Sequence, residues 1–305
     1  MAASAQILPT ARTINVASVP QRSPFRYPGG KTWLVPYVRL WLRSHVRPLK
    51  ELVEPFAGGA IVGLTAAFEN LANKIRLVEL DSDVAAVWQT ILNGQAEWLA
   101  QQIAEFRFSE EAVRKTINQP GASVRQRAFA TILRNRVQRG GILAPGAGLM
   151  KDGENGRGLA SRWYPETLSN RIRAIAALRE KITFVEADGL SFIRKHSLRK
   201  GIGFFVDPPY TIAGRRLYKH SEIDHRRLFQ LMSRVAGDFL MTYDDSPEIR
   251  QLVCEFRLDC ETVAMKNTHN SVMEELLIGP NLNWLRNSTR FDQGSLQFEL
   301  EIPKG

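Results

Sequence analysis

The sequence predicts an α/β fold: a doubly wound, largely parallel sheet that carries an inserted, mainly helical segment. Three observations lead there. Short apolar runs of strand length alternate with helical patterns, as they do where helices cover both faces of a parallel sheet. That rhythm breaks once, between about Gly94 and Pro165. At 305 residues the chain suits one large α/β domain, or a core of about 200 residues with an insertion.

The elements follow in order. Residues 1–22 contain no sustained apolar stretch and read as a loose, flexible leader rather than a signal peptide. Strands are expected over Glu51–Glu54, Ile75–Leu80, Ile182–Glu186, Gly203–Asp207 and Asp238–Tyr243. Helices are expected over Lys31–Arg43, Gly59–Asn70, Asp83–Leu92, Leu168–Glu180, Leu190–Leu198 and Glu222–Val235. Further helices are expected within Trp98–Val137. The seven glycines between Arg139 and Tyr164 then mark a stretch too long for an ordinary connection in a compact core. The division is therefore 23–93 and 168–305 for the main domain and 94–167 for the insertion. After Val253 the pattern suggests strands joined by turns.

Charge separates the insertion from the rest. From Ala112 to Arg179 there are thirteen Lys and Arg against three acids, a local excess equal to the +10 of the whole chain. A polyanion-binding surface is one explanation and a solvated helix face is the other. The preference for arginine suits bidentate contacts to phosphate or guanine edges. Other classes are excluded or disfavoured. No apolar run reaches the roughly 18–20 residues of a membrane span. Cys254 and Cys260 lack a CxxC spacing, so neither a disulfide framework nor a cysteine zinc site is expected. The histidines His45, His196, His220, His225 and His269 have no metal-ligand spacing. The absence of a GxxxxGK[ST] loop argues against an ATP-hydrolysing P-loop enzyme.

The most informative string is Phe204-Phe205-Val206-Asp207-Pro208-Pro209-Tyr210. An apolar strand ends in a carboxylate, two prolines and an aromatic ring, at the end where open α/β sheets hold ligands. The prolines stiffen the chain and leave nearby carbonyls as fixed acceptors. Such a cluster suits a planar, amine-bearing ring; a strand ending in a proline turn is the plainer alternative. Glu54-Pro55-Phe56-Ala57-Gly58-Gly59-Ala60 reads as a strand, a tight turn and a helix start that backbone can bring close to a ligand. About twenty-five residues later an acid-bearing strand end, Val78-Glu79-Leu80-Asp81, could accept ribose hydroxyls. The alternative for such acids, helix N-capping, suits Asp81 or Ser82 better than Glu79.

These blocks, in this order, resemble the DNA adenine-N6 methyltransferases of the DNA adenine methylase (Dam-like) type, over roughly Phe25 to Leu285. Phe25-Arg26-Tyr27-Pro28-Gly29-Gly30-Lys31 is similar to the family's K-W-x-G-G-K block, with Arg26 and Tyr27 replacing Lys and Trp. Glu54 to Ala60 is similar to E-P-F-x-G-x-G, with alanine for the last glycine, where a positive φ would strain it. Asp207-Pro208-Pro209-Tyr210 matches the D-P-P-Y block, and Lys266–Gly279 the segment ending in E-L-L-I. The resemblance implies a Rossmann-like methyltransferase sheet with an inserted target-recognition domain, and S-adenosylmethionine as methyl donor without a metal. Its implied partner is double-stranded DNA; a monomer and a bacterial or phage-encoded cytoplasmic setting are expected.

Roles carry over position by position. Asp207, Pro208, Pro209 and Tyr210 would be catalytic. Tyr27, Lys31, Glu54, Phe56, Gly58, Glu79, Asp188 and Asp207 would bind the cofactor, with Tyr27 and Lys31 at its methionine end and Asp188 at its adenine. Arg26, and Asn135-Arg136 with Arg139 in a stretch similar to N-R-x-x-x-x-G, would face DNA. Arg125, Arg127 and Arg134 read better as phosphate contacts. Beyond Gly141 the chain reads ILAPGAGLM, which departs from the continuation in GATC-specific methylases, so that specificity is not implied. An RNA adenine methyltransferase, a protein glutamine methyltransferase (disfavoured by Asp207) and a non-catalytic DNA-binding module are the rivals.

Overall fold

The computed structural model describes residues 19–26, 30–119, 123–144, 146–153, 156–209, 223–266 and 272–291. Tyr27, Tyr210, His220 and His269 lie outside the described residues. So does most of the expected leader. Its last residues, however, are packed: Val19 is buried in the main core, and Arg22 lies over the Phe68 ring and pairs with Glu69 at 3.1 Å.

The chain enters through a 3-10 turn, Lys31–Leu34, that runs straight into α1 (Val35–Arg43). There follow β1 (Glu51–Glu54), α2 (Ile61–Phe68), β2 (Ile75–Glu79) and α3 (Ser82–Thr90). At Ile91–Gln95 the helix is interrupted, with Asn93 non-helical and Gly94 at φ 84°, a backbone that favours glycine. This kink stands where the insertion was expected to begin. Beyond it lie α4 (Ala96–Glu105), α5 (Glu110–Ile117), α6 (Val124–Val137) and α7 (Pro165–Ala176). The remainder comprises β3 (Ile182–Glu186), α8 (Gly189–His196), β4 (Ile202–Val206), α9 (His225–Met232), β5 (Asp238–Asp244) and α10 (Pro247–Glu255). It closes with β6 (Asp259–Lys266), β7 (Val272–Gly279) and a helix not anticipated from the sequence, α11 (Asn283–Phe291). Among the described residues no helix is long and apolar enough to cross a membrane.

The seven strands form one sheet in the order β3-β2-β1-β4-β5-β7-β6. The first five are parallel, while β7 runs antiparallel to both β5 and β6. This is the doubly wound order with a reversed strand inserted beside β5. Every residue of β1 and β4 is buried, as expected for central strands covered on both faces.

Neighbouring residues on each strand feed opposite cores, following the period of two. Leu52, Leu77, Phe205 and Leu277 pack with α1, α2 and α3 on one face. Val53, Val78, Phe204 and Leu276 pack with α8, α9 and α10 on the other. The helices expected to form an insertion are continuous with the first core: Leu99, Ile103, Phe129 and Ile132 belong to it, and Ser169 Oγ donates to the Ala100 carbonyl at 2.8 Å. A small satellite cluster of Val113, Leu133 and Val137, roofed by Phe106, Phe108 and Trp163, holds α5 and α6 together.

Candidate active site

In such a sheet the chain turns outward in opposite directions from β1 and β4, which opens a crevice at their carboxyl ends. The two strands pair in parallel, with Val53 beside Phe204, so Glu54 and Asp207 leave the sheet at the same edge. Glu54 is buried, and its Oε2 accepts the Gly63 N–H at 2.8 Å. Burial pushes its carboxyl up to about 8; the Gly63 N–H opposes the shift, and the charges of Asp207 and Glu79 add to it.

The turn after β1 is tied down from several sides. Ala57 N–H donates to Val78 O at 2.9 Å and Trp88 Nε1–H to Gly58 O at 3.0 Å. Ala60 has φ 51° and ψ 34°, so the alanine that replaces glycine does adopt a left-handed conformation. Phe56 packs against the second core, as do Val185 and Ala187.

Glu79 ends β2 and is gripped by main chain. Its Oε1 accepts from Leu80 N at 2.8 Å and Asp81 N at 2.9 Å, and its Oε2 from Gly58 N at 2.8 Å. Three of the roughly four acceptor positions of a carboxylate are thus occupied. Burial raises its pKa against the pull of these N–H groups. Asp81 caps α3 by accepting from Asp83 N, as the capping alternative requires. Asp188 is also a cap: its Oδ1 accepts from Ser191 N at 2.8 Å and starts α8.

Asp207 follows β4, and two groups converge on its Oδ1: Thr242 Oγ1–H of β5 at 2.9 Å and Lys31 Nζ at 3.3 Å. Lys31 also donates to Glu275 Oε1 of β7 at 3.2 Å. Lys31 and Glu275 are both buried. Burial alone would lower the Lys31 pKa, but Asp207 and Glu275 more than offset it and hold the ammonium above its ordinary value. Burial pushes the Glu275 carboxyl up to about 7, with Lys31 opposing. Lys31, expected at a cofactor's methionine end, is therefore engaged with Asp207 and Glu275. Pro208 is buried and Pro209 half-buried.

Sequence reasoning gave no role to Thr242 or Glu275. The available signal was an acid inside the apolar run Glu275-Leu276-Leu277-Ile278, where an ionisable residue is rare unless paired. Beneath the same site Tyr243 Oη lies 2.9 Å from His225 Nδ1, and burial, then Asp207, raises the tyrosine's pKa well above its usual value.

The residues expected to face DNA divide. Arg139 is exposed. Asn135 is not: its side chain is fully buried, with Oδ1 accepting from Arg26 N and Nδ2 donating to the carbonyls of Arg26 and Gly141 at 2.7–2.8 Å. Gly141 has φ 74°, and a Cβ there would meet Arg26 O at 2.6 Å. The Asn-to-Gly spacing is thus explained by an internal clamp rather than by base contact. Arg136 is likewise buried and donates to Pro24 O at 2.7 Å, so it braces the segment before Arg26.

Part of the basic block is also spoken for. Arg134 pairs with Asp83 at 3.0 Å and donates to Ile117 O, rather than presenting itself to phosphate. Arg125 stacks on Trp98, and Arg173 and Arg114 bind Glu97 and Glu110.

No protein-family model matches the chain, and no curated protein matches it. Among solved structures it is similar to the rRNA methyltransferase aviRa from Streptomyces viridochromogenes, at 11% identity and a TM-score of 0.42, covering 90% of this chain and 95% of that one. It is also similar to a SAM-dependent methyltransferase from Agrobacterium tumefaciens, at 12% identity and a TM-score of 0.39. That match covers 82% of this chain and 62% of the other. At TM-scores this low the likeness decides nothing about chemistry, which the site's own residues must carry.

Proposed function

We propose that the chain transfers a methyl group from S-adenosylmethionine to N6 of an adenine flipped out of double-stranded DNA. The observation that carries this reading is Asp207 at the carboxyl end of β4, oriented through one oxygen by Thr242 and Lys31 and followed by two prolines. A carboxylate held this way is an acceptor for an exocyclic amine. The Pro208 carbonyl is a second, kept rigid by the prolines.

The residues present fit the donor. Glu54, Glu79 and Asp207 gather at one edge of the sheet, and Glu54 feels the charges of the other two. A sulfonium cation in that crevice would relieve their repulsion. Glu79 retains about one acceptor position for a ligand hydroxyl. Exposed Asp188 keeps its Oδ1 for the α8 cap, so any contact to an adenine ring would use the rest of its carboxylate.

When bound, S-adenosylmethionine supplies an electrophilic methyl group. The chain does the remainder by positioning. Asp207 accepts a hydrogen bond from the N6 amine, which draws the nitrogen lone pair out of ring conjugation and aims it; the one N6 proton that the methyl group replaces is released to solvent. Lys31 and Thr242 keep that carboxylate from turning away. Duplex stacking would bar the base from this crevice, so the base must leave the helix. Catalysis then rests on orientation and on fixed charge.

The test is methylation of a plasmid in cells that express the protein, read by single-molecule sequencing, together with calorimetry of S-adenosylmethionine. N6-methyladenine confined to a short motif and lost in Asp207→Ala supports the reading. S-adenosylmethionine binding without modified DNA transfers the proposal to RNA, and absence of binding sinks it.

A further inference from the structure

Arg26, Arg136, Arg162 and Arg171 come together from three parts of the chain: the entry segment, the end of α6, and the middle of α7 with the turn before that helix. Arg136 is buried and the other three are half-buried. Arg136 and Arg171 donate to main-chain carbonyls, Pro24 O and Ser23 O, each at 2.7 Å. Among the described residues no carboxylate is bonded to Arg26, Arg136 or Arg171. Burial, and then the charges of Arg171, Arg26 and Arg162, depress the pKa of Arg136. Arg26 responds in the same direction to burial and to Arg162. Tyr164, half-exposed, stands beside Arg26 and Arg162.

Four guanidinium groups collected without a carboxylate on three of them oppose folding by mutual repulsion and desolvation. Elsewhere in the basic block arginines are neutralised: Arg134 by Asp83, Arg173 by Glu97, Arg114 by Glu110. The cluster is also rigid. Asn135 fixes both the N–H and the carbonyl of Arg26, and the carbonyls of Ser23 and Pro24 are held by the arginines themselves. Arg26 lies five residues before Lys31, so their Cα atoms are at most about 18 Å apart, and Lys31 touches Asp207.

We propose that Arg26, Arg136, Arg162 and Arg171 form a preformed seat for a backbone phosphate of the DNA strand that carries the target base. This rests on the nucleic-acid reading above and deepens it: the seat anchors the strand a few nucleotides from the crevice and carries no base information. Arginine suits it because the planar fork meets a phosphate with two parallel hydrogen bonds.

Fluorescence anisotropy with duplex DNA over a salt series tests the seat in Arg26→Gln and Arg171→Gln, with the exposed Arg234→Gln as control. Each seat variant should lose roughly tenfold or more in affinity, by the same factor for all duplex sequences. The slope of log K against log salt should fall by about 0.9. S-adenosylmethionine affinity should stay within twofold, and Arg234→Gln should behave as wild type. A second arm uses pyrophosphate at constant ionic strength, which should raise the melting temperature of the wild type and not of Arg171→Gln. Unchanged DNA slopes in both variants overturn the seat and leave the nucleic-acid reading standing. Stabilisation by pyrophosphate with no DNA binding in the wild type overturns the assignment to a DNA strand and that reading together.

Discussion

Replacing Glu54 with Gln at the floor of the crevice should change how stability depends on pH, and the size of the change follows from the structure. The amide oxygen of Gln can still accept the Gly63 N–H that Oε2 now receives at 2.8 Å, so the shape of the turn is retained. What is lost is a carboxyl whose pKa burial raises from 4.5 to about 8. Between those values the folded chain holds a proton that the unfolded chain has released, so the carboxyl's contribution to stability falls as pH rises. Relative to the glutamine variant, the wild type should therefore lose about 3 kcal/mol between about pH 5.5 and about pH 8.5. Urea unfolding of both proteins at the two pH values, without added ligand, measures it. A wild-type-minus-variant difference that is flat within about 0.5 kcal/mol would refute the reasoning, because it would mean an ordinary, already ionised Glu54. A slope of the opposite sign would show that the site stabilises the anion.

Other outcomes follow from the same geometry. In Glu275→Gln the amide cannot balance the Lys31 ammonium, so methyl transfer should slow roughly tenfold with donor affinity little changed. The wild-type rate should also bend near the Glu275 value of about 7, and a bend that persists in the variant would count against the link. Asn135→Ala should destabilise by about 2–4 kcal/mol, because three main-chain groups lose their partner, whereas the exposed Arg139→Ala should stay within about 0.5 kcal/mol. Thermal or chemical unfolding of the pair decides whether the Asn is a clamp. Ala60→Gly trades relief of a left-handed alanine, about 1–2 kcal/mol, against a lost methyl contact and greater chain freedom, so it should be neutral within about 1 kcal/mol. Ala60→Val at the same buried position should cost about 2 kcal/mol or more in the same assay.

The parallel strands were legible because each is an apolar run closed by a polar residue. Expected and observed bounds coincide for β1 and β3, and differ by a residue at an end or two for β2, β4 and β5. Helix ends were less legible, because caps decide them. Pro165 starts α7 three residues before the apolar pattern does. Among the site residues, Glu54, Glu79 and Asp207 are at strand ends where the sequence predicts them, since a strand end is a local feature. The use of the basic block was not legible. Arg134 meets Asp83 fifty-one residues away, and Asn135 meets Arg26 at a separation of 109. Neither separation leaves a periodicity in the chain. Glu275 escaped for the same reason, as its partner comes from the opposite end of the sequence.

That last separation has a temporal consequence. Lys31 and Glu275 are 244 residues apart, and the strand bearing Glu275 pairs with β5 only after β6 has been made and the chain has doubled back. During synthesis most of the parallel sheet can assemble while Lys31 meets Asp207, and the charge of Asp244, but not yet Glu275. A nascent chain still lacking β7 would therefore have its crevice walls but a carboxylate steered by an ammonium whose buried partner on β7 has yet to arrive. The reversed strand makes competence a late event, reached when the final hairpin closes.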